Sequence, residues 1–268
     1  MPPPPASRDI TGQFILLGTG TSVGVPVLGC DCAVCRSDNP RNRRTRCAAL
    51  LGLPGGNLLI DTPPDLRTQL LREGVGVVHA VAYTHEHADH LFGLDDLRLM
   101  QFYLGGPVPL YCETRVARRI EKSYDYAFAA QEDTHVGARP KLEIRPITAA
   151  PFEALGARVT PIRLEHGPRF SVLGFRVGSV AYCTDVSAIP AASWQLLAGL
   201  DVLILDALRH EPHSTHFSLD QAVAAAERCG AKRTYFTHCS HEFDYDAVNA
   251  QLPSGMELAY DGLRIELT

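Results

Sequence analysis

Four side chains able to bind a metal ion, His85, His87, Asp89 and His90, fall within the run Thr84-His-Glu-His-Ala-Asp-His. On extended backbone, residues i and i+2 point the same way, so His85 and His87 can reach one ion together. Asp89 and His90, at the turn into a following helix, then face a neighbouring position, and the spacing suits two ions. A solvated loop gains nothing from crowding groups that titrate near neutrality. Each ion needs about four or five donors, so other parts of the chain must supply the rest. His166 in Leu164-Glu-His-Gly, Asp185 in Cys183-Thr-Asp and His238 in Phe236-Thr-His each end a strand-like run. Any one of them alone reads as a cap or a surface residue; together they complete two sites. A hydroxide shared by two divalent ions stays deprotonated near neutral pH, and the ions offset charge developing on substrate oxygens. The reaction class this chemistry predicts is metal-assisted hydrolysis.

A second cluster, Gly29-Cys-Asp-Cys-Ala-Val-Cys, puts Cys30, Cys32 and Cys35 in one loop. A structural zinc is tetrahedral and closed, so three thiolates call for a fourth ligand, and a histidine is a natural one. His241 is the best donor: it lies three residues past His238, so one loop could serve both centres. A redox pair at Cys32 and Cys35 is the weaker reading, because of the third thiolate and the absence of an adjoining thioredoxin-like βαβ unit. Cys47, Cys112, Cys183, Cys229 and Cys239 read as ordinary buried thiols.

The elements that must position these groups alternate between β-rich and helical runs. Strands are expected at 14–17, 48–51, 58–60, 80–83, 108–112, 153–164, 172–177, 179–183, 202–205, 234–237 and 263–267. Helices are expected at about 91–103, near 191–197 and from Ser218 through Cys229, where Ser218 is the N-cap, Gln221 stands at the capping-box position and Gly230 follows the end. Two halves of strands with interspersed helices suggest helices outside a double-sheet core. Residues 1–9, rich in proline, are expected to be a disordered tail, and 10–268 one hydrolase domain with a zinc-binding loop at 29–36. The aromatic, irregular segment 124–140 reads equally as a flap over the site or a surface connection.

At 268 residues with 46% hydrophobic residues the chain can bury a full core. Its formal net charge of −5 argues against a general grip on nucleic acid or an anionic membrane. There is no apolar run of membrane-spanning length, and the start Met-Pro-Pro-Pro-Pro lacks the pattern of an export signal, so a cytoplasmic protein is expected.

Gly18-Thr-Gly-Thr-Ser, Ile60-Asp-Thr, the 84–90 run, His166, Cys183-Thr-Asp and Thr237-His together resemble the metallo-β-lactamase superfamily across nearly the whole chain. The resemblance implies an α+β fold, a four-layer αββα sandwich with metals at the sheet edge. It implies that His85, His87 and His166 hold one divalent ion, that Asp89, His90 and His238 hold another, and that Asp185 bridges them. Manganese, zinc and iron all suit such a set. Asp61 resembles the carboxylate that orients a histidine ring in this superfamily, with a helix N-cap as the equal alternative. The cysteine loop with its partner His241 is similar to that of the PhnP-type phosphodiesterases, which hydrolyse phosphoribosyl cyclic phosphate. It is similar also to the B protein of pyrroloquinoline quinone synthesis, where the metal motif tends to be degraded; here every ligand is intact.

His216 stands where PhnP-type proteins have a substrate-contacting histidine. A protonated imidazole there could bond a phosphate oxygen or protonate the leaving alkoxide, and with Asp89 it makes up the expected catalytic pair. A helix-terminal residue without substrate contact is the alternative. Arg41, Arg43, Arg44 and Arg46 form a basic run, one of which could hold an anionic substrate. The implied activity is a dinuclear phosphodiesterase acting on a small phosphate diester, cyclic or linear, with no nucleic-acid or membrane partner and with a homodimeric state. The rivals are a thioester or lactone hydrolase of the glyoxalase II type, a cofactor-biosynthesis protein on the same fold, and a tRNA 3′-end nuclease, for which no long basic arm is present.

Overall fold

The computed structural model describes residues 7–129, 135 and 137–267. Its strands are β1 (Gln13–Gly18), β2 (Ala48–Leu53), β3 (Gly56–Ile60), β4 (Ala80–Ala82), β5 (Val108–Cys112), β6 (Leu142–Pro146), β7 (Phe152–Ala154), β8 (Ala157–His166), β9 (Phe170–Val177), β10 (Val180–Cys183), β11 (Val202–Asp206), β12 (Arg233–Thr237), β13 (Met256–Leu258) and β14 (Arg264–Glu266). They form two seven-stranded sheets, ordered β14-β1-β2-β3-β4-β5-β6 and β13-β12-β11-β10-β9-β8-β7. In each sheet antiparallel pairs give way to parallel ones, from β3 in the first and from β10 in the second.

Side chains alternate across each strand, and this alternation builds the layers. Phe14, Leu16, Leu58 and Ile60 of the first sheet meet Leu173, Phe175, Tyr182 and Ile204 of the second in a core between the sheets. Ile15, Leu17, Leu59 and Val81 face the other way, against Leu66, Leu70, Leu97, Val116 and Ile120 from helices covering the first sheet. Ala181, Leu203, Leu205 and Phe236 likewise pack on Leu197, Ala222, Ala225 and Ala226. The result is the expected four-layer αββα sandwich. Strands read as continuous apolar runs, such as Val202–Leu205, are those buried on both faces.

Several elements differ from expectation. The helix expected over 91–103 is broken into Ala88–Leu91, a 3-10 stretch Leu94–Leu99 and Met100–Leu104. Gly93 causes the break: its N–H donates to Thr62 O at 2.8 Å, and a Cβ there would stand 2.0 Å from Pro63 O. The strand expected over 153–164 is two, β7 and β8, separated by a turn in which Leu155 and Gly156 have φ of 50° and 76°. β6, β13 and the helices Leu66–Glu73, Thr114–Ser123 and Tyr245–Asn249 were not expected; β6 and β13 are edge strands of five and three residues, too short for their alternation to stand out. Of the tail expected at 1–9, residues 1–6 lie outside the described residues, and Arg8 N donates to Gly74 O at 2.8 Å. Of the segment 124–140, residues 130–134 and 136 lie outside them, while Asp125–Phe128 is a short helix and Arg98 and Gln101 donate to the carbonyls of Ala138 and Arg139. No helix among the described residues is long and apolar enough to cross a membrane.

Candidate metal centre

The expected ligands stand at strand ends along one edge of the sandwich. The 84–90 run follows β4, His166 ends β8, Asp185 follows β10 and His238 follows β12. Asp61, Asp185 and His238 have φ of 64°, 58° and 59°, a left-handed backbone that side chains other than glycine rarely adopt. Such conformations persist where surrounding structure over-determines them, and here each one turns a side chain off the end of its strand.

Ligand atoms of His85, His87, His166 and Asp185 all lie within 4.8 Å of one another, as do those of Asp89, His90, Asp185 and His238. Asp185 belongs to both groups. Its Oδ1 is 3.2 Å from His90 Nε2, and its Oδ2 is 3.8, 3.7 and 3.6 Å from Nε2 of His85, His166 and His238. Asp89 Oδ2 lies 3.4 Å from His90 Nε2 and 4.0 Å from His238 Nε2.

Hydrogen bonds at the far side of the rings fix their orientation. His90 Nδ1 donates to Asp61 Oδ2 at 2.7 Å. Thr84 Oγ1 donates to the same oxygen at 2.8 Å and so accepts from His85 Nδ1 at 2.9 Å. His166 Nδ1 donates to Thr215 O at 2.7 Å. Each of these bonds leaves Nε2 bare toward the cleft, the arrangement that metal-binding histidines share. Asp61, fully buried, is thus the support of His90 and not a helix cap.

The buried Nε2 atoms of His85, His90 and His238 have no hydrogen-bond partner, nor does His238 Nδ1. Orphaned buried nitrogens facing carboxylates are what a cation between them explains. The electrostatics agree. Burial and neighbouring imidazoles push His85 well below its ordinary value. Burial acts the same way on His90 and His238, but the surrounding carboxylates win: Asp185, Asp89 and Asp61 hold His90 well above its ordinary value, and Asp185, Asp89 and Asp206 raise His238 to about 9. Asp185 is held well below the usual carboxylate range because His238, His90 and His85 outweigh its burial. The cleft therefore calls for positive charge, and its donor set fits divalent ions.

The four groups of the expected zinc site also meet. His241 Nδ1 lies 3.2, 3.5 and 3.7 Å from the sulfurs of Cys30, Cys32 and Cys35. The backbone N–H of Cys35 and the His241 ring lower the Cys32 thiol to about 6, while burial pushes Cys35 up to about 11. Cys47, Cys112, Cys183 and Cys239 are buried, and Cys229 is half-buried.

His216 lines the cleft with His87, His166, His238 and Phe170. Its ring stacks on that of His238, centroids 4.5 Å apart, and its Nδ1 donates to Asp206 Oδ2 at 2.7 Å. Asp206 is a functional candidate the sequence reading missed. The available signal was an acid closing an apolar strand, as Asp61 does after Ile60. Of the four arginines, Arg44 is buried and donates to Ser240 O and Phe243 O, Arg41 lies over the rings of Tyr245 and Tyr260, Arg46 pairs with Asp65, and Arg43 is exposed. None of the four lines the cleft.

Two facing sheets that deliver histidines and carboxylates from their strand ends into one cleft define a metal-dependent hydrolase. Residues 56–239 match the β-lactamase superfamily domain, and the chain belongs to that superfamily. A diphosphatase of the PhnP family has a similar structure, with 44% identity and a TM-score of 0.88 over 95% of this chain and 96% of the other. Ribonuclease Z of Mycobacterium sp. (strain KMS) is 26% identical over 95% of this chain and 96% of its own length. An octanoyltransferase of Porphyromonas gingivalis (strain ATCC BAA-308 / W83) is 34% identical over 94% of this chain, which spans 51% of that relative's length.

Proposed function

We propose that the chain is a dinuclear phosphodiesterase for small substrates, cleaving a phosphorus that carries one ester and one further ester or anhydride linkage. The observation that carries this reading is the sharing of Asp185 between the two donor groups. Nitrogen and oxygen donors on one ion stand roughly 3 to 3.5 Å apart, close to the 3.2 to 3.8 Å between Asp185 and the four histidines. His85, His87 and His166 would hold one ion, Asp89, His90 and His238 the other, and Asp185 both. Divalent ions in such a site make water acidic enough to attack near neutral pH and offset charge on phosphate oxygens.

The chain's own residues supply the remaining work. Asp206 fixes the His216 ring through Nδ1, so the other ring nitrogen is free for a ligand in the cleft. That nitrogen, protonated, would hydrogen-bond a phosphate oxygen or give its proton to the leaving alkoxide. The 2.7 Å contact between Asp206 and His216 is a hydrogen bond, shorter than the spacing of two donors on one ion, so this pair reads as a proton-handling dyad. A phosphorus substrate is favoured over a thioester or lactone by the 44% identity with a PhnP-family diphosphatase. The cysteine cluster would hold a structural zinc: sulfur and nitrogen donors around a tetrahedral zinc stand roughly 3.5 Å apart, the middle of the observed 3.2 to 3.7 Å.

The test is metal analysis followed by hydrolysis of bis(p-nitrophenyl) phosphate, a P1,P2-disubstituted diphosphate, a thioester and a lactone, by wild type and His216→Ala. Expected are two catalytic ions per chain and diester or diphosphate turnover, reduced on the order of 100-fold in kcat by the substitution. Thioester turnover without any turnover of either phosphorus substrate sinks the reading.

A further inference from the structure

Side chains alternate along β10: Tyr182 points into the core between the sheets and Cys183 toward the helix-covered side. Thr184 continues the alternation, so its side chain returns to the inner side, where it is fully buried. A hydroxyl buried there needs a partner, and Oγ1 finds one in Asp185 Oδ1 at 2.8 Å. An ionised carboxylate only accepts, so the hydroxyl proton lies on this bond. Asp185 itself stands just past the strand end with its left-handed φ of 58°.

A hydroxyl beside a buried carboxylate is ordinarily no more than local pairing; what sets this one apart is the oxygen it holds. Asp185 Oδ2 stands 3.6 to 3.8 Å from histidines of both donor groups, whereas Oδ1 stands 3.2 Å from Nε2 of His90. The oxygen that Thr184 ties down therefore faces the group of Asp89, His90 and His238. That group also has the thinner support. In the first, His85 and His166 each have a hydrogen bond behind the ring. In the second His90 has one, and the buried Nδ1 of His238 is unpartnered.

We propose that Thr184 is a positioning residue for the ion of the Asp89, His90 and His238 group, and that this ion is the more weakly held of the two and depends on the Thr184 hydroxyl for its occupancy. The inference rests on the two-ion part of the proposed function and deepens it. The terminal torsion of an aspartate is broad, so the carboxylate has no fixed plane of its own. The hydroxyl supplies that plane and presents Oδ1 to the ion. Without it the carboxylate turns, and a buried oxygen is left one donor short. Partners behind metal ligands are worth on the order of 10- to 100-fold in metal affinity.

Manganese titration of the metal-stripped full chain tests it, read by calorimetry and by electron paramagnetic resonance, in wild type, Thr184→Val, Thr184→Ala and Thr184→Ser. Thiolates select softer ions, so the cysteine cluster stays out of the count. Wild type should take up two ions in steps of unequal affinity, the second quenching the hyperfine-split signal of the isolated first. Thr184→Val, which keeps the volume, and Thr184→Ala should bind the first ion as wild type does and the second on the order of 10- to 100-fold more weakly, with the isolated-ion signal persisting. Thr184→Ser, which keeps the hydroxyl, should restore the wild-type pattern. A second ion bound as tightly in Thr184→Val and Thr184→Ala as in wild type overturns the proposal. So does equal weakening of both ions, or a loss in Thr184→Ser matching that in Thr184→Val, which marks packing alone. A wild type that takes up a single ion sinks the two-ion reading and this inference with it. Two ions in wild type and in every variant sink this inference alone.

Discussion

At the scale of single residues, the cleft is governed by what stands behind the candidate ligands. Asp61 and Thr84 fix the rings of His90 and His85, and the carbonyl of Thr215 fixes His166. Asp206 occupies the equivalent place behind His216, and also accepts the N–H of Val186 at 2.6 Å, just beside Asp185. Asp206→Asn should therefore lower kcat by an amount similar to His216→Ala, on the order of 100-fold, and the double variant should lose little more, because residues acting as a unit are non-additive. Rescue separates positioning from mere structure: Asp206→Glu, which keeps a carboxylate behind the ring, should recover part of the lost kcat while metal content holds in both variants. Full additivity with no rescue by Asp206→Glu would mean that Asp206 supports the strand end only. The candidate ligands were legible in the sequence because four lie in one dense local run, and that run called for the others at the ends of strand-like segments. Asp206 was not, since nothing in its spacing ties it to His216; only the fold of β11 against the loop before the helix Leu219–Cys229 does.

At the scale of elements, the segment after β12 couples two clusters. His238 faces the cleft and His241 the three cysteines, with Cys239 N donating to Thr19 O and Ser240 N to Leu208 O between them. The buried Arg44, 1% exposed, braces this segment through the carbonyls of Ser240 and Phe243. In the sequence Arg44 was one of four indistinguishable arginines in a basic run, and only tertiary packing separates it from its neighbours. The broken helix after His90 has the same lesson: the apolar stripe is real, but the bond from Gly93 to Thr62 overrides its continuity. Zinc in the cysteine cluster would fasten the loop 30–35 to the segment that carries His238. Cys32→Ser should then remove about one zinc per chain and lower Tm, while leaving the two catalytic ions largely in place. Loss of the thiolate that burial does not suppress is the reason to choose Cys32 over Cys35. Unchanged zinc stoichiometry by elemental analysis would refute the closed site.

At the scale of the whole molecule, the cleft is where the two sheets are tied at their polar edge. Asp61, His85, His87, Asp89 and His90 come from the first sheet, whereas His166, Asp185, Asp206 and His238 come from the second. Behind them the apolar core between the sheets provides the cohesion, but at the edge buried carboxylates and three left-handed residues cost stability unless cations balance them. Ions bound by the folded chain and not by the unfolded one stabilise it by about 4 kcal/mol when free metal exceeds Kd roughly a thousandfold. For a chain of this size that corresponds to a Tm shift on the order of 10 °C. Chelation should accordingly lower Tm by that amount, and added manganese or zinc should restore it. The cysteine cluster would contribute to the shift in wild type, so the decisive comparison is Cys32→Ser. The chelator effect that persists there belongs to the cleft, and it should shrink further in Cys32→Ser/Asp185→Asn, where the shared carboxylate is gone. A chelator effect that vanishes in Cys32→Ser alone would mean that the two sheets hold their edge without ions, and that the histidines and carboxylates meet there for turnover and not for stability.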